Sequence, residues 1–207
     1  MPLKIWGRLS SVNVQKAMLC VEWLGLTHER IDAGLSYGLV DTPEYRARNP
    51  NGLVPVIEDD GFVLWESNAI VRYLAAKHAM GSLCPDDPRK RADADRWMDW
   101  QTTTLQPAMG QAFLHLVRLP PEKRDPSAVP ASRERSEACV AILEAALAGK
   151  SYVAGEEFTM GDVALAPAVH RWLNLPLDRV SRPSVERWYR EIMRRPAAQK
   201  VLQVPIT

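Results

Sequence analysis

Cysteine is scarce in this sequence, and its scarcity limits the kinds of site the chain can build. Only Cys20, Cys84 and Cys139 occur among the 207 residues, and they lie far apart along the chain. An odd, scattered set of this kind excludes a disulfide framework and a four-cysteine zinc site, and it indicates a reducing cytoplasm. The four histidines also lack the spacing of metal ligands, so no metal site is predicted.

Long apolar runs and an excess of one charge are missing as well. No apolar run approaches the ~20 residues that a membrane span requires, and the first residues carry no secretory signal. Lysine and arginine total 26, aspartate and glutamate total 25, and the formal net charge is +1. This balance predicts no binding to nucleic acid or to a membrane, and it fits a soluble cytoplasmic protein.

The first 80 residues contain an alternation of strand and helix signals. Short β-prone runs alternate with apolar residues at helical spacing, and glycine or proline separates many of them. The order predicts a thioredoxin-like βαβ–ββα domain over residues 1–80. Its predicted elements are strands at 3–6, 28–32, 53–57 and 62–65, and helices at 14–24, from Thr42 onward and at 67–78.

The remaining chain differs, because no strand signal follows the first domain. Residues 81–88 mix glycine, serine, proline and aspartate without periodicity and predict a linker. Residues 89–207 predict an all-helical bundle domain, so the fold class is α/β followed by all-α. The predicted helices cover 89–117 with a bend near Pro107, 131–148 after a proline-rich loop at 119–130, a stretch from a Thr159–Asp162 capping box through Trp172, and 183–195.

Two serines and an asparagine lie at the start of the first predicted helix. Around Ser10, Ser11 and Asn13, free backbone N–H groups and the positive end of the helix dipole stabilise an anion. A thiol with a pKa of ~8.5 needs ~2.7 kcal/mol of preferential thiolate stabilisation to lower that pKa by about two units. A serine hydroxyl, an adjacent amide and the dipole suit this task. The alternative is that Ser10 or Ser11 is simply a helix N-cap.

Two further segments have the chemistry to hold a peptide-like ligand. Pro55 opens an apolar strand, and a cis Val54–Pro55 bond would turn the Val54 backbone outward to pair with an extended peptide. Glu66 and Ser67 precede a helix, so Ser67 and the first helix amides suit a carboxylate, and Glu66 suits an ammonium group. The alternatives are an ordinary trans proline and an N-cap beside a solvated acid.

The order and spacing of these segments resemble the soluble glutathione S-transferases along nearly the whole chain. The subgroup that the sequence resembles is bacterial and serine-type, theta- or nu-like. Leu53 departs from the pattern, since many members carry a polar or basic residue before the Val-Pro pair. The resemblance is carried by Asn49-Pro50, Val54-Pro55 and Glu66-Ser67-Asn68-Ala69-Ile70, which match the glutathione site, and by the capping box Thr159-Met160-Gly161-Asp162 in the helical domain.

The resemblance implies a glutathione-binding role for particular residues. Asn13 matches an asparagine found near the sulfur in some bacterial disulfide-active members. The implied site consists of Ser11 and Asn13 at the sulfur, Val54 and a cis Pro55 along the cysteinyl backbone, Glu66 and Ser67 at the γ-glutamyl end, and Asn51 at the glycyl end.

The resemblance also implies an acceptor pocket on the helical domain, because the helix after Pro107 faces the glutathione sulfur in this family. The alternative for the candidate pocket residues is a role in core packing or at an interface, or simple exposure to solvent. A homodimer is likewise implied. The predicted pocket residues are Met109, Phe113, His115, Arg118 and Trp172.

The expected activity is conjugation of glutathione, as co-substrate, to a small hydrophobic electrophile. Glutathione-dependent reduction of disulfides or peroxides is an alternative suggested by Asn13, and a non-catalytic binding module is another. Cys20 lies mid-helix without a partner cysteine, which disfavours a glutaredoxin-type mechanism. A maleylacetoacetate isomerase is disfavoured because Asn13 stands where that group carries cysteine.

Overall fold

The computed structural model describes residues 2–207, and its N-terminal part is a four-stranded mixed sheet flanked by helices. Strand order in the sheet is β2-β1-β3-β4, with β1 parallel to β2 and antiparallel to β3. The thioredoxin-like prediction is therefore confirmed. The elements are β1 (Leu3–Trp6), α1 (Val12–Trp23), β2 (His28–Ile31), α2 (Pro43–Arg48), β3 (Val56–Asp59), β4 (Phe62–Trp65) and α3 (Ser67–His78).

Alternation along the strands gives the sheet two apolar faces. Ile5 and Ile57 are opposite each other in the register and are fully buried against the side covered by α1 and α3. Their neighbours Trp6 and Val56 point to the other face, where they pack with Tyr45 of α2. Successive residues of a strand face opposite sides, so both faces of this sheet are covered by helices.

The third strand is shorter than the sequence predicts. The expected strand at 53–57 is wrong in its first half, because β3 begins at Val56. Leu53 and Val54 precede the ladder, and the Val54–Pro55 peptide bond is cis. Proline cannot donate to a strand ladder, so the segment before it runs beside the sheet rather than in it.

The C-terminal part of the chain is helical throughout, as predicted. Residues 88–118 form one continuous helical stretch in which Gln101–Leu105 and Leu114–Arg118 are π-helical. The first of these turns comes just before Pro107, whose missing N–H removes a regular helix bond. The α-helices are α4 (Pro88–Trp100), α5 (Gln106–Phe113), α6 (Ala128–Leu147), α7 (Met160–Asn174), α8 (Pro183–Met193) and α9 (Pro196–Leu202).

Three predicted boundaries in this part are wrong. Helix α4 starts at Pro88, inside the predicted linker, with the Asp87 side chain accepting from the first turn. Helix α6 starts at Ala128 rather than 131, because Pro130 lies in the first turn, where no intrahelical N–H bond is lost. The predicted helix at 183–195 ends at Met193, and Pro196 starts the unpredicted α9.

The capping box at the start of α7 is confirmed, and it anchors the helical core. The Asp162 side chain accepts from the Thr159 N–H at 2.9 Å and from the Val153 N–H at 3.1 Å. Asp162 is fully buried, and burial raises its pKa to about 6, against the effect of these hydrogen bonds. No helix within residues 2–207 combines the length and apolar character needed to cross a bilayer.

Candidate functional site

Ser11 occupies the N-cap position of α1 without acting as a side-chain cap. Its backbone is extended, its N–H donates to the Arg8 carbonyl, and its carbonyl accepts from the Gln15 N–H at 2.8 Å. The side chain is 8% exposed, and within residues 2–207 its hydroxyl forms no hydrogen bond. An N-cap serine normally accepts from the first helical turn. Here the hydroxyl and the helix N–H groups remain available together at the edge of a cavity.

The segment before the cis proline is held from both sides and leaves Val54 unpaired. The Leu53 carbonyl accepts from the Tyr45 hydroxyl and from the Asn49 side chain, each at 2.8 Å. In the described part of the chain, neither the N–H nor the C=O of Val54 forms a backbone hydrogen bond. Gly7 permits this packing, since a Cβ there would lie 3.3 Å from the Val54 Cβ and 2.4 Å from Val14. An extended ligand therefore finds a free donor and acceptor at Val54.

The start of α3 presents a second set of free amides. Glu66 precedes the helix with φ 73°, in the left-handed region that non-glycine residues seldom adopt. Its side chain is exposed, whereas the Ser67 side chain next to it is 6% exposed. The Ser67 hydroxyl makes no hydrogen bond to any residue from 2 to 207. A carboxylate placed here meets N–H groups, a hydroxyl and the positive end of the helix dipole.

A cavity of ≈ 290 Å³ opens between the start of α1 and the helical domain. One wall belongs to the first domain and the other to α5, the π-helical turn after it, and α7. A helical glycine, Gly110, lies in this wall, and a Cβ on it would meet nothing within 4 Å. The lining residues are Arg8, Ser11, Val12, Asn13, Gln106, Met109, Gly110, Phe113, Leu114, Arg118 and Arg171.

Three arginines give this cavity a positive wall. The guanidinium of Arg171 lies 3.8 Å from the Phe113 ring centroid, and that of Arg118 lies 4.8 Å from the same centroid. Burial lowers the pKa of Arg171 to about 9, with smaller contributions from Arg118 and Arg8. Burial also lowers the pKa values of Arg8 and Arg118, and the charge of Arg118 adds to the shift of Arg8. The three like charges therefore share one partly desolvated space.

A partly buried polar network connects the two domains. Asn68 of α3 donates to the Met98 carbonyl at 2.7 Å and to the Thr102 hydroxyl at 3.1 Å. The Lys16 ammonium lies 3.4 Å from both Asn68 Oδ1 and Thr102 Oγ1. Lys16 is fully buried, and burial lowers its pKa to about 7, although the charge of Glu66 opposes the shift. This network fixes α1 and α3 against the helical domain.

Within residues 2–207, neither the cysteines nor the residue types that bind metals form a second reactive site. Cys20, Cys84 and Cys139 are all buried, and burial raises the pKa of each, that of Cys20 to about 12. A thiolate is the reactive form of cysteine, so these side chains are poor nucleophiles. Among residues 2–207, no cluster of three histidine, cysteine, aspartate or glutamate side chains has the geometry to hold a metal ion.

Comparison with known proteins identifies the family. The profile "Glutathione S-transferase, N-terminal domain" matches residues 1–76, and "Glutathione S-transferase, C-terminal domain" matches residues 126–191. The chain is 44% identical to glutathione S-transferase GstB of Escherichia coli (strain K12) over 207 residues, covering 99% of this chain and 100% of that protein. The chain belongs to the glutathione S-transferase family.

Two further relatives extend the match to plants and to a ligand-bound structure. Glutathione S-transferase F12 of Arabidopsis thaliana is 32% identical, with 98% of each chain covered. A crystal structure of the theta class glutathione S-transferase from Xanthomonas axonopodis pv. citri, with glutathione bound, is 43% identical. The match between the two structures covers 100% of each chain and has a TM-score of 0.96. The predicted family, fold class and transferase class of this glutathione S-transferase are therefore confirmed.

The structure brings together most, but not all, of the predicted pocket residues. Met109, Phe113 and Arg118 line the cavity beside Ser11 and Asn13.

His115 and Trp172 lie elsewhere, which corrects their predicted placement. The His115 Nδ1 accepts from the Asp125 N–H at 2.9 Å in a separate cleft. Trp172 is 1% exposed and belongs to the hydrophobic core. Neighbouring helical residues point about 100° apart. This offset lets Trp172 face the core while Arg171 beside it faces the cavity.

Asn51 has an exposed position that leaves its predicted role open. Its N–H and its side-chain amide both donate to Asn49 Oδ1 at 3.0 Å, which fixes the turn before Val54. The residue therefore supports the Val54 segment, whereas a glycyl contact stays a prediction.

Six residues of the cavity wall are absent from the predicted site, namely Arg8, Val12, Gln106, Gly110, Leu114 and Arg171. Arg8 and Gln106 carry no motif of their own, and Arg171 belongs to the stretch His170-Arg171-Trp172, of which only Trp172 is a predicted pocket residue.

Proposed function

We propose that this glutathione S-transferase binds reduced glutathione, stabilises its thiolate and conjugates it to a small electrophile. Glutathione is an extended tripeptide with an ammonium, two carboxylates and a thiol. The free donor and acceptor of Val54 suit the peptide backbone, the amides and hydroxyl at Ser67 suit one carboxylate, and the exposed carboxylate of Glu66 suits the ammonium. We further propose residues 1–80 as the glutathione domain, 81–88 as the linker and 89–207 as the acceptor domain.

The observation that carries the proposal is the uncommitted Ser11 hydroxyl. It lies at the N-terminus of α1 beside the cavity, without the capping bond that its position normally makes. A thiolate beside it accepts from the hydroxyl and from helix N–H groups, which lowers the pKa of a thiol. Catalysis then consists of positioning a preformed nucleophile against the acceptor, and no covalent enzyme intermediate is required.

Titration of glutathione into the purified protein tests this function. Binding should be followed by calorimetry at several pH values, with the ultraviolet thiolate band recorded in parallel. The proposal expects saturable binding and a thiolate band near neutral pH, well below the thiol pKa of ~8.5. Absence of binding would leave only the fold in common with the family, as in a non-catalytic module.

A second candidate, glutathione-dependent reduction of disulfides or peroxides, is supported by Asn13. Its side chain lines the cavity beside Ser11 and has no hydrogen-bond partner within residues 2–207. An amide there is placed to interact with a second sulfur or an oxygen. Parallel assays with a disulfide, a peroxide and an aryl halide separate the reactions, and zero turnover of both the disulfide and the peroxide excludes this one.

We propose a homodimer and a cytoplasmic location. An apolar surface cavity between α4 and α6 includes Trp97, Trp100 and the half-exposed Ile142, while Phe62 and Trp65 of β4 are also exposed. Exposed apolar surface of this kind favours burial against another subunit. Sedimentation equilibrium measures the mass directly, and a monomer at all concentrations would contradict the proposal.

A further inference from the structure

The arginines of the cavity lack an acidic partner, in contrast to several half-buried arginines elsewhere in the fold. Arg72 pairs with Asp95 and Asp99, and Arg182 pairs with Glu137. In contrast, the lining of the cavity contains three arginines and no aspartate or glutamate. The Nε atoms of Arg8, Arg118 and Arg171 are buried without a hydrogen-bond partner among the described residues, as are those of Arg179 and Arg182. Arg179 and Arg182 are nevertheless held through their Nη atoms, whereas no guanidinium atom of Arg8 or Arg171 forms a hydrogen bond within residues 2–207. Unpartnered buried donors of this kind normally indicate a ligand or water that satisfies them.

Two of the three arginines belong to the acceptor side of the cavity. Arg118 and Arg171 come from the helical domain and flank the Phe113 ring. Arg118 also donates through Nη2 to the Thr207 carbonyl at 2.6 Å, which fixes its direction. The segments proposed to hold the glutathione backbone, at Val54 and at Glu66–Ser67, do not line this cavity.

Arg8 lies at the boundary between the two sides. A Cβ built on Gly34 would be 3.0 Å from Arg8 Nη1 and 3.6 Å from Val54 Cγ1, so the Arg8 guanidinium is near the Val54 segment. Arg118 and Arg171 are therefore the residues with which to test the acceptor side alone.

We infer that Arg118 and Arg171, assisted by Arg8, form an oxyanion-binding subsite that directs this transferase toward electrophiles carrying a carboxylate. The inference rests on the proposed function and names the substrate class of the same site. The Phe113 ring supplies a flat apolar surface for the body of the acceptor, and the guanidinium groups bind the carboxylate at its edge. Without such a subsite, a thiolate and an anionic acceptor repel each other in a partly dry cavity.

The reaction itself needs only the two substrates. For an aryl chloride, the glutathione thiolate forms a C–S bond at the carbon that carries chlorine, and the C–Cl bond breaks. Chloride leaves with the bonding electron pair, the thiol proton goes to solvent, and no oxidant or reductant is consumed. The arginines bind the remote carboxylate and hold the ring in place for attack.

A matched pair of acceptors tests the inference. 4-Chloro-3,5-dinitrobenzoate and its amide differ in charge at one position and react by the same displacement. Each kcat/KM is divided by the uncatalysed rate constant with glutathione, which removes the difference in intrinsic reactivity. The inference expects the corrected preference for the benzoate to be about tenfold or more, equivalent to one charge-assisted contact. Added salt should reduce the benzoate rate and leave the amide rate nearly unchanged.

Arg118→Met and Arg171→Met should each lower the corrected kcat/KM for the benzoate by more than that for the amide, and so remove most of this preference. Arg135→Met is the matched control, because Arg135 is an exposed α6 residue outside the cavity and the change removes the same charge. Arg171→Lys, which keeps the charge, should restore part of the preference. An equal fall in kcat/KM for both acceptors, or a fall in glutathione affinity alone, would overturn the inference. Either result would mean that the arginines act on the thiol or on glutathione.

Binding of a non-reacting acid provides a readout that does not depend on turnover. 3,5-Dinitrobenzoate lacks the leaving group, and calorimetry compares it with 3,5-dinitrobenzamide in wild type and in both methionine variants. The inference expects tighter binding of the acid to wild type only. Turnover of the amide without any preference for acids would overturn the subsite alone, whereas failure of both acceptors and of glutathione binding would overturn the transferase proposal too.

Discussion

The indole Nε1 of Trp188 donates to Asp162 Oδ1 at 2.8 Å and thereby connects α8 to the capping box of α7. Both side chains are fully buried, and the same carboxyl also accepts from backbone N–H groups. The folding element that the sequence predicts at Thr159–Asp162 thus extends beyond its own helix. It joins the start of α7 to a helix that begins 21 residues after Asp162, at Pro183.

Trp188→Phe should lower the free energy of unfolding more than Trp97→Phe does. Both changes remove the same atoms from a buried site, but Trp97 Nε1 has no hydrogen-bond partner in the described part of the chain. The difference should be about 1–3 kcal/mol, the cost of removing one of the hydrogen bonds to a buried carboxyl group. Urea denaturation of the three proteins measures it, and equal destabilisation would show that the Asp162 contact contributes nothing.

Ser11→Ala should reduce kcat by roughly 10²-fold, the typical effect of removing one donor from a developing or stabilised anion. Glutathione affinity should change little, because the Val54 and Ser67 groups are untouched. Ser10→Ala is the control, since Ser10 does not line the cavity. Steady-state kinetics with one aryl halide and a pH titration of the bound thiolate suffice, and unchanged kcat and thiolate pKa in the Ser11 variant would remove this residue from the mechanism.

Gly110→Ala and Gly161→Ala should shift stability in opposite directions, although both glycines are helical. A Cβ on Gly110 meets open space, so alanine should raise the free energy of unfolding by about 1 kcal/mol. A Cβ on Gly161 would lie 2.9 Å from the Ala94 carbonyl oxygen, and overpacking there should cost about 1–3 kcal/mol. Thermal and urea unfolding measure both, and stabilisation by both alanines would contradict the contacts around Gly161.

Lys16 should make the protein more stable as the pH rises above about 7. Burial lowers the pKa of Lys16 in the folded state, so the unfolded chain binds more protons between that value and the ordinary lysine pKa of ~10.4. Stability therefore increases with pH across this window, by at most ~1.4 kcal/mol per pH unit.

Replacing the ammonium isolates this contribution. Lys16→Met should flatten the stability profile between pH 7 and 10, while the exposed Lys123→Met keeps the wild-type profile. Urea unfolding at several pH values gives the comparison. A Lys16→Met profile that rises as steeply as wild type would show that Lys16 is not the group responsible.

The sequence alone determined the elements whose signals are local. Short β-prone runs predicted the strands of the sheet, the Thr159–Asp162 pair specified its own capping box, and glycine and proline placed most of the turns. The segments at Ser11, Val54–Pro55 and Glu66–Ser67 were found from local chemistry and spacing together with a family resemblance. The predicted helix boundaries are wrong where a proline in the first turn of a helix gives the same signal as a loop, as at Pro130 and Pro196.

Only the tertiary structure decided what lies around the reactive position. Arg8, Arg118 and Arg171 are more than 50 residues apart in sequence, and no local pattern indicates that they share one cavity. The same holds for Trp172, which faces the core while Arg171 beside it lines the cavity. Secondary structure follows from interactions between near neighbours, whereas the charge and shape of a cavity depend on how whole helices pack. That packing placed three positive charges without acidic partners beside Ser11.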